Sequence, residues 1–335
     1  MPSNKGIWIS ATNELSEITI KDDYCPGNDE LLIQVSYSGI NPADLFHGRA
    51  LGLNGHVAGY DFSGKVLKKG INCEMEVGTN VMGAAAPGVN RPIFVGAHQD
   101  FLIIPESASC LPVVARAAID GLFNILGLPD PEAIKDARKE NPAPILIWGG
   151  SSSVGLISIW MAKAVGAHPI IATASPQHHA ALYNLGATHC FDYRDSGVVQ
   201  MIKDVLSDTS FEPLRAFDTI GKENTSDLVA ACCEPGTKIA STQFHPRCLL
   251  VSSGREYTIS GMMPNGVPFH VEGQPKAALL GQRLLRWVLT YYGKDDGFKF
   301  PNVRAVEGST NAIAAVRMVA DGNVSMEKIA VKHPL

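Results

Sequence analysis

Apolar and polar positions follow two different patterns along this chain. Through residues 1–110 the apolar runs are short and punctuated. "ELLIQVSYSGI" (30–40) alternates with period two, and "DFSGKVLKKG" (61–70) reads as a tight turn into a strand. Glycine and proline recur in "GLNGHVAGYDFSGK" and "MGAAAPGVNRP", as in a loop-rich β domain. Near residue 115 the pattern changes. From "ARAAIDGLFNILGL" onward, helical segments alternate with the short runs "PILIWG" (144–149), "HPIIATA" (168–174), "THCFDY" (188–193), "RAFDTI" (215–220) and "GTKIAST" (236–242). This alternation predicts βαβ units and a doubly wound parallel sheet. After residue 270 come a long helix, "KAALLGQRLLRWVLTYYG", and a strand–helix–turn–strand ending, "VRAVEGSTNAIAAVRMVADGNVSMEKIAVKHPL". The last strand is expected to pair back with the N-terminal β domain. The predicted division is therefore a β domain of residues 1–115, completed by 280–335, and an α/β domain of residues 116–279.

Composition narrows the function classes. A chain of 335 residues can bury two cores, and 45% apolar with 18% charged residues is ordinary for a soluble protein. A formal net charge of −5, with no dense Lys/Arg cluster, argues against nucleic acid as a partner. "MPSNKGIWIS" lacks the apolar core of a secretory signal and no apolar run is long enough for a membrane span, so a cytoplasmic protein without membrane contact is expected. The seven cysteines are widely spaced and include no C-x-x-C pair, which favours buried thiols over a zinc knuckle or redox motif.

The stretch "ILIWGGSSSVGLISIWMAKAVG" (145–166) carries the most chemistry. A pyrophosphate site needs a strand ending in a tight turn, small residues that let backbone N–H groups approach, and a helix N-terminus. Gly149, Gly150, Ser151, Ser152, Ser153 and Val154 supply this pattern; a plain polar loop is the alternative. Serine does not adopt positive φ as readily as glycine, so the turn must keep the three serines at negative φ. NAD sites place an acidic residue about 20 positions downstream, on the ribose 2′-hydroxyl. No Asp or Glu occurs between Gly149 and Phe191. Ser175 ends the second strand instead, with His178, His179 and Arg194 as candidate cations and Tyr193 beside them. A 2′-phosphate is tolerated there, so NADPH is the expected cofactor.

With these residues in view, the chain resembles the zinc-free, quinone-oxidoreductase-like branch of the medium-chain dehydrogenase/reductase superfamily. The carrying segments are "GINPADLFHGR" (39–49), "GYDFSGKV" (59–66), "VGTNVMG" (77–83), "GAHQDFLIIP" (96–105) and "LGATHCFDYR" (185–194). "GLPDP", "WGGSSS", "TASPQH" and the C-terminal segment look most like fungal trans-acting enoyl reductases of polyketide biosynthesis, the lovastatin type, which have also lost the standard glycines of this turn. The resemblance implies a GroES-like β domain joined to a Rossmann domain. It also implies no metal, because Pro42-Ala43 and Tyr60-Asp61 stand where zinc-dependent relatives place ligands.

The implied reaction is reduction of an activated C=C bond, with hydride from NADPH. The substrate would be a small molecule or a chain tethered to a carrier protein, with a polyketide synthase as a possible partner. Asn41 maps to the loop bordering the nicotinamide, to orient the cofactor or a carbonyl; His47 is a candidate proton donor; Tyr60 could present its hydroxyl to the pocket. Met262, Met263 and Phe269, in 251–275, are candidates to line the substrate cleft. Reduction of an iminium or a quinone, a non-redox use of the pocket, and an NADPH-binding partner without turnover remain open readings.

Cofactor choice is directly testable by fluorescence titration. The wild-type protein is expected to prefer NADPH over NADH. Ser175→Asp should weaken NADPH binding by about tenfold or more, on the order of 1.4 kcal/mol, and erase the preference. Failure of either nucleotide to bind at micromolar concentration would show that the serine-rich turn is not a pyrophosphate site.

Overall fold

The structure, a computed structural model, describes residues 3–21, 24–85, 95–105, 113–132, 143–207, 214–222, 224–251, 259–262 and 266–335. The chain forms two compact units: residues 1–113, 258–272 and 301–335, and residues 114–257 and 273–300.

In the first unit the strands are β1 (Asn4–Ile9), β2 (Leu15–Ile20), β3 (Glu30–Gly39), β4 (His56–Val57), β5 (Asp61–Lys69), β6 (Asn80–Ala84) and β7 (Phe101–Pro105), with helix α1 (Ala43–Leu51). The second unit contributes α2 (Val113–Ile119), β8 (Ile145–Trp148), α3 (Ser153–Ala164), β9 (Ile170–Thr173), α4 (His179–Leu185), β10 (His189–Phe191), α5 (Val198–Ser207), β11 (Arg215–Asp218), α6 (Thr225–Ala231), β12 (Ile239–Ser241) and β13 (Leu249–Leu250). The hairpin β14 (Ile259–Met262) and β15 (Pro268–Val271) returns to the first unit, α7 (Pro275–Tyr291) belongs to the second, and β16 (Asn302–Glu307), α8 (Ser309–Ala320) and β17 (Glu327–Lys332) complete the first.

The second unit is the predicted doubly wound sheet, in the order β10-β9-β8-β11-β12-β13 with every pairing parallel. The order reverses at β8, which puts a ligand crevice at its C-terminal end. All four residues of β8 and of β9 are buried, as expected of strands covered on both faces. Burial raises the thiols of Cys232 and Cys233 to about 11 and about 12, so both are inert packing groups.

One boundary departs from the sequence-based division. Residues 280–300 lie in the second unit, not with the β domain. The reason is aromatic packing: Trp287 stacks on Trp160 with ring centroids 4.8 Å apart, Phe298 adjoins Trp160 at 6.1 Å, and the Trp160 indole N–H donates to the carbonyl of Asp296 at 3.1 Å. Conversely, the hairpin β14–β15, read as part of the α/β domain, belongs to the first unit. Met263 lies outside the described residues. Among the described residues no helix is long and apolar enough to cross a membrane.

The first unit closes as its ending predicted. β17 pairs antiparallel with β3, Ala330 opposite Gly39 and Lys332 opposite Tyr37, and parallel with β16. Ile7, Ile9, Ile40, Leu45, Val316 and Val331 form one core; Leu31, Ile33, Phe62, Val66, Leu102 and Ile104 form another. Between β17 and β5 runs a buried polar network. Lys328 Nζ donates to the carbonyl of Ile40 (3.0 Å) and to Asn41 Oδ1 (2.6 Å), and pairs with Asp61 Oδ2 at 3.3 Å. Asn41 Nδ2 donates to the same Asp61 oxygen at 2.8 Å, and Asp61 Oδ1 accepts the N–H of Val113 at 2.7 Å. Removing one partner leaves the other charge desolvated and unpaired. Lys328→Met is therefore expected to lower stability by about 3 kcal/mol. Lys328→Met/Asp61→Asn should recover part of that loss. Urea denaturation midpoints check both.

Candidate active site

In the first unit the structure brings together two residues that the sequence nominated separately. His47 sits on α1 and Tyr60 immediately before β5, and His47 Nδ1 lies 2.6 Å from the Tyr60 hydroxyl, with the rings edge-on at 5.5 Å. Both are half-buried. Gly59 sets the approach of Tyr60: its φ is +96°, and a Cβ there would lie 2.6 Å from the His98 ring. Thirteen positions and a change of element separate the pair, so neither helical nor strand periodicity relates them. A hydrogen-bonded imidazole and phenol can hold and deliver one proton.

Asn41 is placed differently from its expected role. It is only 2% exposed, and its side-chain amide is committed on both sides, to Asp61 and to Lys328. Its nitrogen also donates to the carbonyl of Gly39 at 3.3 Å. That leaves it to position the α1 loop and withdraws it from contact with cofactor or substrate. Asp44 accepts the backbone N–H of Asn41 at 2.8 Å and so ties down the start of α1.

In the second unit the nominated cofactor residues gather at one edge of the sheet. Trp148 of β8 is level with Thr173 of β9, which is level with Phe191 of β10. The turn 149–153, Ser175 to His179, and Tyr193-Arg194 therefore all follow adjacent strand ends. Thr173 fixes the turn, accepting the N–H of Gly149 on its hydroxyl (3.0 Å) and that of Gly150 on its carbonyl (2.8 Å). Gly149 takes φ +83°, where a Cβ would lie 2.4 Å from Ile220. Gly155 is equally constrained, since a Cβ there would meet the carbonyl oxygen of Gly149 at 2.2 Å. Among the described residues only Asn13 and Met326 are non-glycines at positive φ, so the three serines avoid that region as expected.

Ser152 turns out to be a helix cap. Its Oγ accepts the N–H of Gly155 at 2.9 Å and lies 2.9 Å from Thr219 Oγ1. Thr219 Oγ1 also lies 2.8 Å from the carbonyl of Trp148 and 3.0 Å from that of Gly149, so the two hydroxyls and the turn share one hydrogen-bond network. Ser152 is thus placed as a cap at the start of α3. Ser151, half-buried before the cap, and the amides of Ser153 and Val154 in the first turn of α3 remain to face an anion.

Beside the residues nominated for the 2′-phosphate lies an acid that the sequence analysis does not nominate. Asp192 binds Arg194 bidentately, Oδ1 to Nε at 2.9 Å and Oδ2 to Nη2 at 2.8 Å, and the guanidinium holds its carboxyl below the usual range. Asp192 directly follows Phe191, one residue beyond the acid-free stretch that begins at Gly149. Arg194 also lies over the exposed Tyr193 ring, 5.6 Å from its centroid. His179 Nε2 is 2.9 Å from the carbonyl of Ala174, which ties it to the end of β9. Burial, then the neighbouring His179, lower the His178 imidazole below its ordinary value. Ser175 is half-buried and makes no cap bond. A strand-end turn that cannot accept a Cβ at Gly149 or Gly155, with a helix opening beside it, fits a nicotinamide dinucleotide.

Among the described residues no three His, Cys, Asp or Glu side chains are grouped as metal ligands would be. Residues 27–114 match the alcohol dehydrogenase GroES-like domain and residues 153–258 the zinc-binding dehydrogenase family. The chain is 31% identical to the trans-enoyl reductase resD of Aspergillus sclerotiorum, over 60% of this chain and 61% of that one. The chain thus spans less than two thirds of that relative's length. It is 27% identical to a zinc-type alcohol dehydrogenase-like protein of Schizosaccharomyces pombe over 98% of this chain and 99% of that one. An alcohol dehydrogenase superfamily protein from Novosphingobium aromaticivorans has the same fold, with a TM-score of 0.71 at 20% identity, covering 99% of this chain and 100% of that one. Members of the group bind nicotinamide cofactors. With both family domains in order, the committed Rossmann turn and the closing return of β17, this chain belongs to the medium-chain dehydrogenase/reductase superfamily.

Proposed function

We propose that this protein is an NADPH-dependent, zinc-free reductase of an activated C=C bond, acting on an α,β-unsaturated carbonyl in fungal polyketide biosynthesis. The substrate is a small molecule or a thioester tethered to the carrier domain of a polyketide synthase. The observation that carries the reading is the 2.6 Å hydrogen bond between His47 and Tyr60, a proton-holding pair at a position where zinc-dependent relatives place a ligand. Similarity to trans-enoyl reductases supports the substrate class.

NADPH, when bound, supplies the hydride that adds to the β-carbon. Ser151 and the amides of Ser153 and Val154 would hold its pyrophosphate, and Ser175 with His178 would face its 2′-phosphate. That phosphate would raise the His178 imidazole, against the lowering imposed by burial and by His179. Arg194, paired with Asp192 through Nε and Nη2, would offer its remaining donors to that phosphate. The residues of this chain that act on the substrate are His47 and Tyr60. The developing enolate needs a hydrogen-bond donor and then a proton, and the Tyr60 hydroxyl backed by His47 Nδ1 supplies both.

The test follows NADPH oxidation with an enoyl thioester offered free or on a carrier protein. His47→Gln and Tyr60→Phe are each expected to lower kcat by about 100-fold, while NADPH affinity stays unchanged. Wild-type kcat in both variants would refute the assignment of the pair. Nucleotide binding without turnover of any unsaturated carbonyl would refute the reductase reading itself.

A further inference from the structure

Apart from the residues assigned above, the first unit contains an unbroken row of buried polar groups. Asp44 Oδ2 lies 3.1 Å from His98 Nε2, and His98 Nδ1 lies 2.8 Å from Ser38 Oγ. The same Ser38 Oγ is 2.8 Å from His333 Nε2, and His333 Nδ1 is 3.0 Å from Asp100 Oδ1. None of the five residues is more than 8% exposed. At one end Asp100 and His333 border a cavity of about 450 Å³, shared with Gln34, Tyr37, Lys65 and Lys332. At the other end Asp44 Oδ1 is buried with no partner among the described residues.

A count of hydrogens shows what the row requires. It has four links, and each needs one hydrogen. A neutral His98, a neutral His333 and the Ser38 hydroxyl bring three in total. Both carboxylates enter as acceptors, since Asp44 also takes the N–H of Asn41 (2.8 Å) and Asp100 those of Leu335 (2.8 Å) and Lys5 (3.2 Å). With no further proton, one link sets two lone pairs face to face in a buried site, where an unmade hydrogen bond is costly. One additional proton satisfies all four links.

We propose that Asp44, His98, Ser38, His333 and Asp100 form a single-proton binding site. The bound proton is shared between the two imidazoles through Ser38, and it latches residues 333–335 and the first turn of α1 onto β3. The proton comes from solvent at the cavity; one N–H bond forms at a ring nitrogen and no electrons are transferred. Two carboxylates flanking two rings favour one positive charge between them. Burial draws His333 below its ordinary value while Asp100 opposes this, which works against confinement of the proton to that ring.

The other charged groups facing the row are already accounted for. Lys5 pairs with Glu17 at 3.0 Å, Lys332 with Glu307 at 2.8 Å, and Lys328 with Asp61 at 3.3 Å. Lys65 stands at the cavity wall. None of these donates a side-chain hydrogen to a link of the row. The site is independent of the proposed reductase activity.

The experiment is ¹⁵N NMR of the histidine rings in the full chain at neutral pH, assigned with His98→Gln and His333→Gln. The four ring nitrogens of His98 and His333 should together carry three protons, leaving one bare. Ser38→Ala removes two links, so the remaining two need only two protons and the count should fall to two and two. Raising the pH of the wild type until one proton leaves the rings should give the same two-and-two count, which serves if the alanine variant folds poorly. Amide exchange at His333 should also quicken about tenfold in Ser38→Ala. Two bare nitrogens in the wild type would overturn the proposal. Unchanged exchange in Ser38→Ala would overturn the latch.

Discussion

The antiparallel return of β17 onto β3 is the constraint on which the polar interior of the first unit depends. In that register Ile329 and Val331 face the core, and period-two alternation carries His333 inward after them. Lys328 lies beside Gly39, where a Cβ would stand 3.3 Å from Lys328 Cε and 3.0 Å from Asp61 Cβ. A side chain at position 39 would crowd the lysine stem on its way to Asn41 and Asp61. A slip of one residue would turn both Lys328 and His333 to the wrong face and leave Asp61 and Asp100 buried without their cations or donors. The hydrophobic pattern of the last strand therefore enforces the position of polar groups that lie almost 300 residues earlier in sequence.

The cofactor turn is governed by a comparable economy of hydrogen bonds. Within the turn positive φ is confined to Gly149, tight packing also constrains Gly150 and Gly155, and positions 151–153 are occupied by serine. Ser152 then does for the helix what a capping residue does anywhere, by taking the N–H of Gly155. Its hydroxyl also shares a hydrogen bond with Thr219, from the end of β11, so turn and neighbouring strand hold one another. This explains how a dinucleotide turn can lose standard glycines and keep its shape: the backbone conformation asks for glycine at few positions, and serine at the others adds a cap.

Charge near the adenosine end is set by pairs rather than by single residues. Arg194 alone reads as a phosphate ligand; beside Asp192 it is half of an exposed bidentate ion pair. Such a pair contributes little to stability, which leaves the guanidinium available to exchange one anion for another. Burial, then the neighbouring His179, draw the His178 imidazole below its ordinary value, and an anion beside it would act against that shift. Both features favour a site that responds to a phosphate over one that is permanently cationic.

The linear sequence was sufficient for the architecture, because periodicities of two and 3.6 and the spacing of glycines are local properties. They predicted the parallel strands, the long helix, the strand–helix–strand ending and the turn at 149–153. The boundary at 280 failed because a stack of Trp160 on Trp287 joins segments 127 positions apart and leaves no local trace. The same holds at the sites. Residue type nominated Asn41, His47 and Tyr60 alike, but tertiary structure alone spent the Asn41 amide on Lys328 and Asp61 and set His47 against Tyr60. Which hydroxyl is a cap, which arginine is already paired and which histidines share a buried serine were decided by hydrogen bonds between distant segments. A hydrogen bond consumes a donor only where the partner arrives, and the partner's arrival is a property of the fold.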